Sequence, residues 1–322
     1  MKKALLATTA LMLSAGVAAA DVNISGYGRT GIIYYENNDP AVEETQVISR
    51  LRMTLDASTE TDAGVEFGGR IRLQWDQNQD TAAETNPGKL WISAQGLTVE
   101  IGNVENAMDS SSLLYETELG VFDRSVGLSD VAGSFFAYED GPYDNVGRQG
   151  VGAIYSFGDV AVHFSMIDPD QTADSTATTE REYSLLGEYT WNDRLELSAA
   201  YTQNGAGLED NDIFFIGARY AVLDNARIGL NYVNADDSLF DEEVGSSIGQ
   251  TVALYGDYTL ADGLTNIEAY VANNDGDWLG KETDNAFGIG VNYDLGGARL
   301  GASIQRDYEE LVTADAGVRF EF

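Results

Sequence analysis

Apolar and polar side chains alternate along most of the chain from residue 21 onward. In the first such stretch Val22, Ile24 and Ile32 share one face, and Arg29 lies on the other. Successive side chains of a β-strand point to opposite sides, so an alternation of period two predicts strands. The pattern predicts sixteen strands, at 22–35, 46–58, 64–75, 88–94, 97–103, 149–157, 160–167, 182–192, 194–204, 212–221, 226–235, 248–260, 264–273, 284–294, 298–306 and 313–322.

The connections between the predicted strands alternate in length. Short turns such as 61–63 and 158–159 alternate with longer acidic segments, of which the third, 104–148, is the longest. Tight turns on one side and long loops on the other are typical of transmembrane β-barrels, and an even number of strands lets the first pair with the last. The sequence therefore predicts an all-β fold, a 16-stranded antiparallel transmembrane β-barrel.

The first twenty residues have the composition of an export signal. Two lysines precede an apolar run that ends in Ala18–Ala20, and this run is shorter than the roughly 18 residues that a membrane helix needs. We expect residues 1–20 to be a cleaved signal peptide and residues 21–322 to form a single barrel domain. The chain contains no cysteine, so disulfides cannot stabilise it.

The chain is strongly acidic. Removing the two lysines of the predicted signal from the formal charge of −35 leaves −37 for the expected mature chain. A surface of this sign repels nucleic acid and attracts cations. Nucleic-acid binding is therefore not expected.

Aromatic residues cluster near the ends of the predicted strands. Rings at these positions are expected to form girdles at the two membrane interfaces, although strands are rich in aromatic residues in any case. The predicted girdle residues are Tyr34, Trp75, Trp91, Tyr155, Tyr189, Trp191, Tyr220, Tyr232, Tyr258 and Tyr293.

The arginines of the predicted strands fall on the face opposite the aliphatic residues. An arginine facing lipid near the bilayer midplane costs roughly 2–4 kcal/mol, so this face is expected to be wet. Four arginines on the second and third strands would form a patch of like charge, which water or carboxylates must screen. The predicted basic wall of the pore consists of Arg29, Arg50, Arg52, Arg70 and Arg72, and Arg219, Arg227, Arg299 and Arg319 lie on the same face.

Several segments resemble the alphaproteobacterial general diffusion porins of the Gram-negative outer membrane. The resemblance rests on the start at 21–26, the segments 61–68 and 293–297, the long third loop, and the ending 317–322 with Phe322 as the expected last residue of the final strand. It covers essentially the whole chain after residue 20. The resemblance implies a homotrimer, a third loop folded into the lumen, and passive diffusion of small hydrophilic solutes.

The third loop is rich in carboxylates. If it folds inward as the resemblance implies, its acids face the basic wall and narrow the pore to a slot with opposite charges on opposite sides. Apolar Leu113, Phe122 and Phe135 favour this arrangement over the alternative of a solvated external loop. The predicted acidic residues of this slot are Glu105, Asp109, Glu116, Glu118, Asp123 and Asp130. Because the overall charge dominates the vestibules, we expect a preference for cations.

Acidic pairs in the long loops are the only candidates for a metal site. Calcium binds several oxygen ligands in a flexible geometry, but a diffuse cloud of cations around solvated loops explains the same pairs equally well. The candidate calcium ligands are Asp236, Asp237, Asp241, Glu242, Asp275 and Asp277. No other cofactor is expected.

Catalytic motifs are weak in this sequence. The segment 26–31 fits G-x-G-x-x-G, but it lies inside a predicted strand rather than between a strand and a helix. His163 is the only histidine, and no serine stands in a context typical of a nucleophile. The chain is therefore not expected to be an enzyme.

These observations predict an outer-membrane porin that forms a water-filled channel for ions and small hydrophilic solutes. Its expected surroundings are outer-membrane lipid, lipopolysaccharide and further copies of itself. Two alternatives remain open at this point. One is a plugged monomeric outer-membrane barrel that acts as an adhesin or structural anchor, and the other is a secreted soluble β-protein that binds carbohydrate.

Overall fold

A computed structural model describes residues 21–36, 43–77, 83–138, 148–168, 180–235 and 247–322. The predicted signal peptide lies outside these residues. Two 3-10 turns, Ser129–Val131 and Gly205–Gly207, accompany the strands. The strands are β1 (Asp21–Tyr35), β2 (Thr45–Glu60), β3 (Glu66–Asp76), β4 (Glu84–Thr85), β5 (Lys89–Ala94), β6 (Leu97–Gly102), β7 (Gln149–Phe157), β8 (Val160–Asp168), β9 (Glu182–Trp191), β10 (Leu195–Gln203), β11 (Ile213–Leu223), β12 (Ala226–Ala235), β13 (Gly249–Thr259), β14 (Thr265–Asn274), β15 (Asn285–Asp294), β16 (Ala298–Arg306) and β17 (Val312–Glu321).

All strand pairs are antiparallel, and each long strand pairs with its neighbours in the chain. The two-residue β4 and the longer β5 both pair with β3, at Leu73–Gln74 and at Glu66–Arg70 respectively. β4 and β5 are two parts of one barrel strand. The strand is interrupted around Pro87, because proline has no N–H that could donate a hydrogen bond to β3. With β4 and β5 counted as one strand, the described strands form a sixteen-stranded barrel, as predicted.

The barrel closes between its first and last strands. β1 pairs with β2 on one side and with β17 on the other. Beyond β17 the ladder continues, because the Gly26 amide donates to the Phe322 carbonyl at 2.8 Å and the Phe322 amide donates to Gly26 at 3.0 Å. The closure pairs the first strand of the sheet with the last, as a β-structure in lipid requires.

The two faces of the barrel wall differ as the alternation predicts. Outward side chains are apolar and exposed, for example Val22 at 65% and Leu185 at 53%, whereas Asn231 and Thr251 on the inner face are buried. Most predicted girdle residues are on the outer face, with Trp191 52% exposed. Trp91 was predicted wrongly, because the outward positions of β5 belong to Leu90 and Ile92 and Trp91 donates to Glu66 inside the barrel at 3.3 Å.

The seam between β1 and β17 depends on two glycines of the motif at 26–31. The ring of Phe320 lies where a Cβ on Gly28 would stand, and the ring of Phe322 lies 2.9 Å from a Cβ on Gly26. The glycines therefore provide room for aromatic rings on the outer face of the seam, and the match to a dinucleotide motif is accidental.

We predict that Gly28→Leu destabilises the barrel by roughly 1–3 kcal/mol, because the new side chain must displace the Phe320 ring from a packed position. The free energy of unfolding in detergent checks this. The matched control is Gly187→Leu on the outer face of β9, where a Cβ meets nothing within 4 Å. Equal losses in the two variants would contradict the role of the seam.

Candidate pore and its charged lining

The described part of the third loop lies against the inner wall of the barrel. A row of small polar side chains on successive strands binds it: the Ala107 amide donates to Ser165 of β8 at 2.9 Å, and the Met108 amide donates to Ser184 of β9 at 3.2 Å. Further along, the hydroxyls of Ser111 and Ser198 are 2.7 Å apart. Each of these wall residues occupies an inward position, so the alternation within the strands places the row.

Apolar contacts with the wall also hold this loop. Met108, Leu113 and Leu114 are fully buried, and they belong to one cluster with wall residues such as Phe215 and Tyr270. Burying each such side chain stabilises the docked loop by roughly 1.5–3 kcal/mol. The loop is thus packed inside the barrel, which agrees with the sequence argument from its apolar residues.

Asp123 connects the loop to the barrel seam. Its carboxylate lies 3.5 Å from Arg29 of β1 and 3.2 Å from Arg299 of β16, and it also pairs with Arg319 of β17. The Arg29 guanidinium additionally donates to the carbonyl of Phe122 at 2.7 Å. Asp123 adopts a left-handed backbone conformation (φ 48°), which an aspartate tolerates better than most residues. One loop carboxylate thus faces three wall arginines.

The other arginines of the predicted basic wall have different partners. Arg50 donates to Asp76 at 2.6 Å, and Arg70 donates to Asp56 at 2.7 Å. Arg52 donates to Gln74 at 2.6 Å. These partners are wall residues on neighbouring strands, not acids of the third loop.

The register explains these wall pairs. Asp56 is directly opposite Arg70, and Arg50 is directly opposite Asp76. Opposite charges at facing positions of an antiparallel pair attract each other. Asp56 and Asp76 are therefore partners of the wall arginines that were not predicted from the sequence.

Arg72 of the predicted basic wall contacts the far end of the described part of the loop. Its guanidinium donates to the carbonyl of Tyr138 at 3.3 Å and lies 4.2 Å from the centroid of the Tyr138 ring. This contact fastens the loop to β3.

The remaining predicted acids are distributed along the loop. Glu116 pairs with Arg219 of β11, and Asp130 lies 3.6 Å from Arg124 of its own loop. Asp109 accepts a hydrogen bond from the Tyr115 hydroxyl. The structure therefore brings Asp123 to Arg29, and it does not bring the other predicted acids into ion pairs with the predicted basic wall. Their shared role in a constriction stays a prediction.

Burial raises the proton affinity of three third-loop carboxylates, those of Asp109, Glu118 and Asp130. Burial raises the pKa of Asp109 to about 6; the Tyr115 hydrogen bond opposes this shift and the nearby Glu105 adds to it. Burial, followed by repulsion from Asp130, raises the pKa of Glu118 to about 8. The negative charge of the loop therefore grows in the pH range in which these groups lose their protons.

The calcium candidates are only partly within the described residues. Asp236, Asp237, Asp241 and Glu242 lie outside them. In the loop after β14, the Lys281 ammonium donates to the carbonyls of Asn274 and Gly276, at 3.0 and 2.5 Å, and to the Asp284 carboxylate at 2.7 Å. Asp275 accepts from the Gln250 amide at 2.7 Å. A lysine thus occupies the oxygen-rich centre of this loop, and calcium binding by Asp275 and Asp277 stays a prediction.

Within the part of the chain that the structure describes, no group of three or more His, Cys, Asp or Glu side chains could hold a metal ion. No helix there has the length and apolar character to cross a membrane. His163 points inward, with its ring 3.9 Å from the Glu188 carboxylate.

A closed antiparallel barrel with an apolar outer face, a charged inner face and a loop packed inside defines a transmembrane β-barrel of the channel class. A family model described as Gram-negative porin matches residues 7–311. A protein named Porin from Fuscovulum blasticum is 40% identical over 308 residues, which cover 94% of this chain and 100% of that one.

Solved structures agree with this assignment. A Rhodopseudomonas blastica porin triple mutant matches with a TM-score of 0.85 at 35% identity, covering 94% of this chain and 100% of that one. A structure described as "Asymmetric conductivity of engineered proteins" matches with the same TM-score and coverage at 36% identity. This chain belongs to the Gram-negative porin family, and it is a multi-pass β-barrel of the outer membrane.

We predict that Asp123→Asn lowers the free energy of unfolding by roughly 2–4 kcal/mol, because it removes the carboxylate that Arg29, Arg299 and Arg319 share and leaves Arg319 only the more distant Glu321, at 3.9 Å. The loss is at the low end because Arg299 is about a third exposed. Unfolding in detergent measures it. The control Asp224→Asn removes a fully exposed carboxylate in a turn and should change little. A comparable loss in both variants would contradict the special role of Asp123.

We also predict that the cation preference of the pore increases between pH 5 and pH 9. Both Asp109 and Glu118 have raised pKa values, so they are mostly neutral at pH 5 and mostly charged at pH 9. Reversal potentials in a salt gradient provide the measurement. Glu118→Gln should remove the upper part of the change and Asp109→Asn the lower part. An unchanged pH profile in both variants would refute the assignment.

Proposed function

We propose that the barrel is a water-filled general porin through which ions and small hydrophilic solutes diffuse passively, with a preference for cations. The observation that carries this proposal is the exposure of charged side chains inside the closed barrel. Arg50, Arg70 and Asp123 keep 27%, 32% and 30% of their side-chain surface accessible. Charged groups of this kind require water around them, because leaving an ion without solvent or full pairing is very costly.

Two cavities lined by arginines that contact Asp123 support a water-filled lumen. One of about 260 Å³ is lined by Arg29, Phe122 and Arg124 among others. Another of about 680 Å³ is lined by Arg299, Arg319 and the short turn at Gly296–Gly297. The smaller cavity lies towards the long loops, and the larger one lies towards the short turns. Arg29 lines the first, Arg299 and Arg319 line the second, and all three arginines contact Asp123.

The cation preference follows from the balance between local and overall charge. Wall arginines attract anions locally, but Arg50 and Arg70 are neutralised by Asp76 and Asp56. The remaining acids and the strongly acidic loops then determine the potential in the vestibules. This argument needs no catalytic group, and we propose a channel rather than an enzyme.

Assembly as a homotrimer in outer-membrane lipid and lipopolysaccharide is part of the same proposal. Thr30 and Ser49 form a hydroxyl pair at 2.7 Å on the outer face of β1 and β2. Polar groups on this face are better placed against another protein surface than against lipid. A plugged monomeric adhesin is less favourable, because it gives no reason for exposed charges in the lumen.

Single-channel recording in a planar bilayer with a salt gradient tests the proposal. We expect large conductance steps, closures in threes for a trimer, and a reversal potential of the sign that indicates cation preference. Correctly inserted protein without conductance would support the plugged barrel, and a reversal potential of the opposite sign would refute the charge argument.

We further predict opposite effects from the two halves of the wall ion pairs. Arg50→Ala with Arg70→Ala should raise the cation-to-anion permeability ratio by about two- to five-fold, because a unit charge at ~4 Å is worth ~1 kcal/mol in water. Asp56→Ala with Asp76→Ala breaks the same pairs and should lower the ratio by a similar factor. Shifts in the same direction would show that structural damage, not charge, dominates.

A further inference from the structure

A second kind of cavity lies in the vestibule on the long-loop side of the barrel. It has a volume of about 410 Å³. The third loop contributes Val126 and Val131, and the connection after β14 contributes Trp278 and Leu279. The connection after β16 contributes Asp307, Tyr308, Glu309 and Leu311. A volume of this size is within the range of sites for small molecules. Neither the ion pairs of the wall nor the docking of the third loop accounts for it.

One side of this cavity is apolar and rigid. The rings of Trp278 and Tyr308 meet edge to face, with centroids 5.8 Å apart. Tyr308 is buried, and its hydroxyl donates to the Gly127 carbonyl of the third loop at 2.7 Å. Leu279 is 84% exposed beside these rings. A single exposed leucine is ordinary on a protein surface. Leu279 and Leu311 together, however, form an apolar surface that can cover a small hydrocarbon group.

The opposite side of the cavity is acidic. Four lining carboxylates, Glu36, Asp130, Asp307 and Glu309, accompany a single lining guanidinium, that of Arg124. Arg124 is already engaged, because it donates to the Tyr35 hydroxyl at 2.7 Å and lies 3.6 Å from Asp130. The lining residues therefore carry a net negative charge.

Backbone amides hold two of these carboxylates, those of Asp307 and Glu36. One oxygen of Asp307 accepts from the amides of Glu309 and Leu311, both at 2.9 Å. Glu36 accepts from the Val312 amide at 3.0 Å. The nearby Arg306 pairs with Glu310 at 2.9 Å. The acidic side is thus preorganised, which reduces the cost of ordering it around a ligand.

Crowding of these acids is visible in their proton affinities. Burial raises the pKa of Asp307, and the charge of Glu36 raises it further, while the amides and Arg306 oppose the shift. Burial and then Asp307 raise the pKa of Glu309. A bound cation would relieve this repulsion.

The geometry points to a binding site for organic ammonium ions that carry an apolar group, with the ammonium beside Asp307 and Glu309 and the apolar group on Trp278, Leu279 and Leu311. A simple metal cation would leave the apolar side uncovered, and an anion would meet the carboxylates. The inference rests on the proposed porin function only in its consequence: such solutes would be concentrated at the outer mouth and would retard the flow of smaller ions.

Blockade of potassium current by phenethylammonium, added on the long-loop side at constant ionic strength, tests this site. We expect saturable blockade by phenethylammonium. Three matched probes should be at least ten-fold weaker: ethylammonium lacks the ring, phenethyl alcohol lacks the charge, and 3-phenylpropionate reverses it. Equal blockade by ethylammonium or by phenethyl alcohol would overturn the inference.

Substitutions locate the effect. Asp307→Asn with Glu309→Gln should raise the half-blocking concentration about ten-fold, and the asparagine oxygen can still accept the two backbone amides. Leu279→Ser should weaken phenethylammonium about three- to ten-fold and leave ethylammonium unchanged. The control Asp62→Asn with Asp224→Asn removes the same charge from two short turns and should have no effect. Equal effects of the cavity and control variants would refute the site.

Calorimetry of phenethylammonium binding to the detergent-solubilised protein separates this inference from the porin proposal. Binding that is lost in the Asp307 and Glu309 variant supports the cavity even if no current is found, in which case only the porin proposal fails. Current without such binding refutes the cavity and leaves the porin proposal intact.

Discussion

The pairing of β1 with β17 is the constraint on which the rest of the structure depends. A sheet in lipid has no water to satisfy an open edge, so the barrel is stable there only when its first and last strands meet. In this chain the ladder extends to the amide and carbonyl of Phe322, and two glycines of β1 make room for the last two phenylalanine rings. Closure also carries Arg29, Arg299 and Arg319 from strands at the two ends of the chain to one place. Asp123 of the third loop then contacts these three arginines, so the loop is fastened to the seam that closes the wall.

Two different devices manage charge inside the barrel. Cross-strand pairs such as Arg70 with Asp56 neutralise arginines on the wall, and they need only the local register of neighbouring strands. The node at Asp123 instead joins a loop to three strands and has more arginines than carboxylates. The first device keeps the wall hydrated without a strong local field, whereas the second concentrates positive charge at one point of the lumen. On the long-loop side of this node the lining is acidic, so the charge of the lining changes sign along the lumen.

Much of the fold could be predicted because the signal in each strand is local. The bounds of β7, β12 and β16 agree with the predicted 149–157, 226–235 and 298–306, since apolar and polar residues alternate there without a break. The strand interruption at Pro87 and the inward direction of Trp91 were missed. Short strands contain too few residues to show which alternate positions point inward. The partners of Arg50 and Arg70 were missed because they depend on register between strands. The vestibule cavity is made by loops far apart in sequence, which no local pattern brings together.

We propose that the third loop stays docked on the inner wall while ions pass through the lumen. The chain has no cysteine, so Ser111→Cys with Ser198→Cys introduces one defined pair where the two hydroxyl oxygens are 2.7 Å apart. The most direct measurement compares the single-channel conductance of this variant in its oxidised and reduced forms. The docked loop predicts that the disulfide forms readily and that the two conductances are equal. Failure of the bond to form would contradict the docked position of the loop, and loss of conductance on oxidation would mean that the loop must leave the wall for ions to pass.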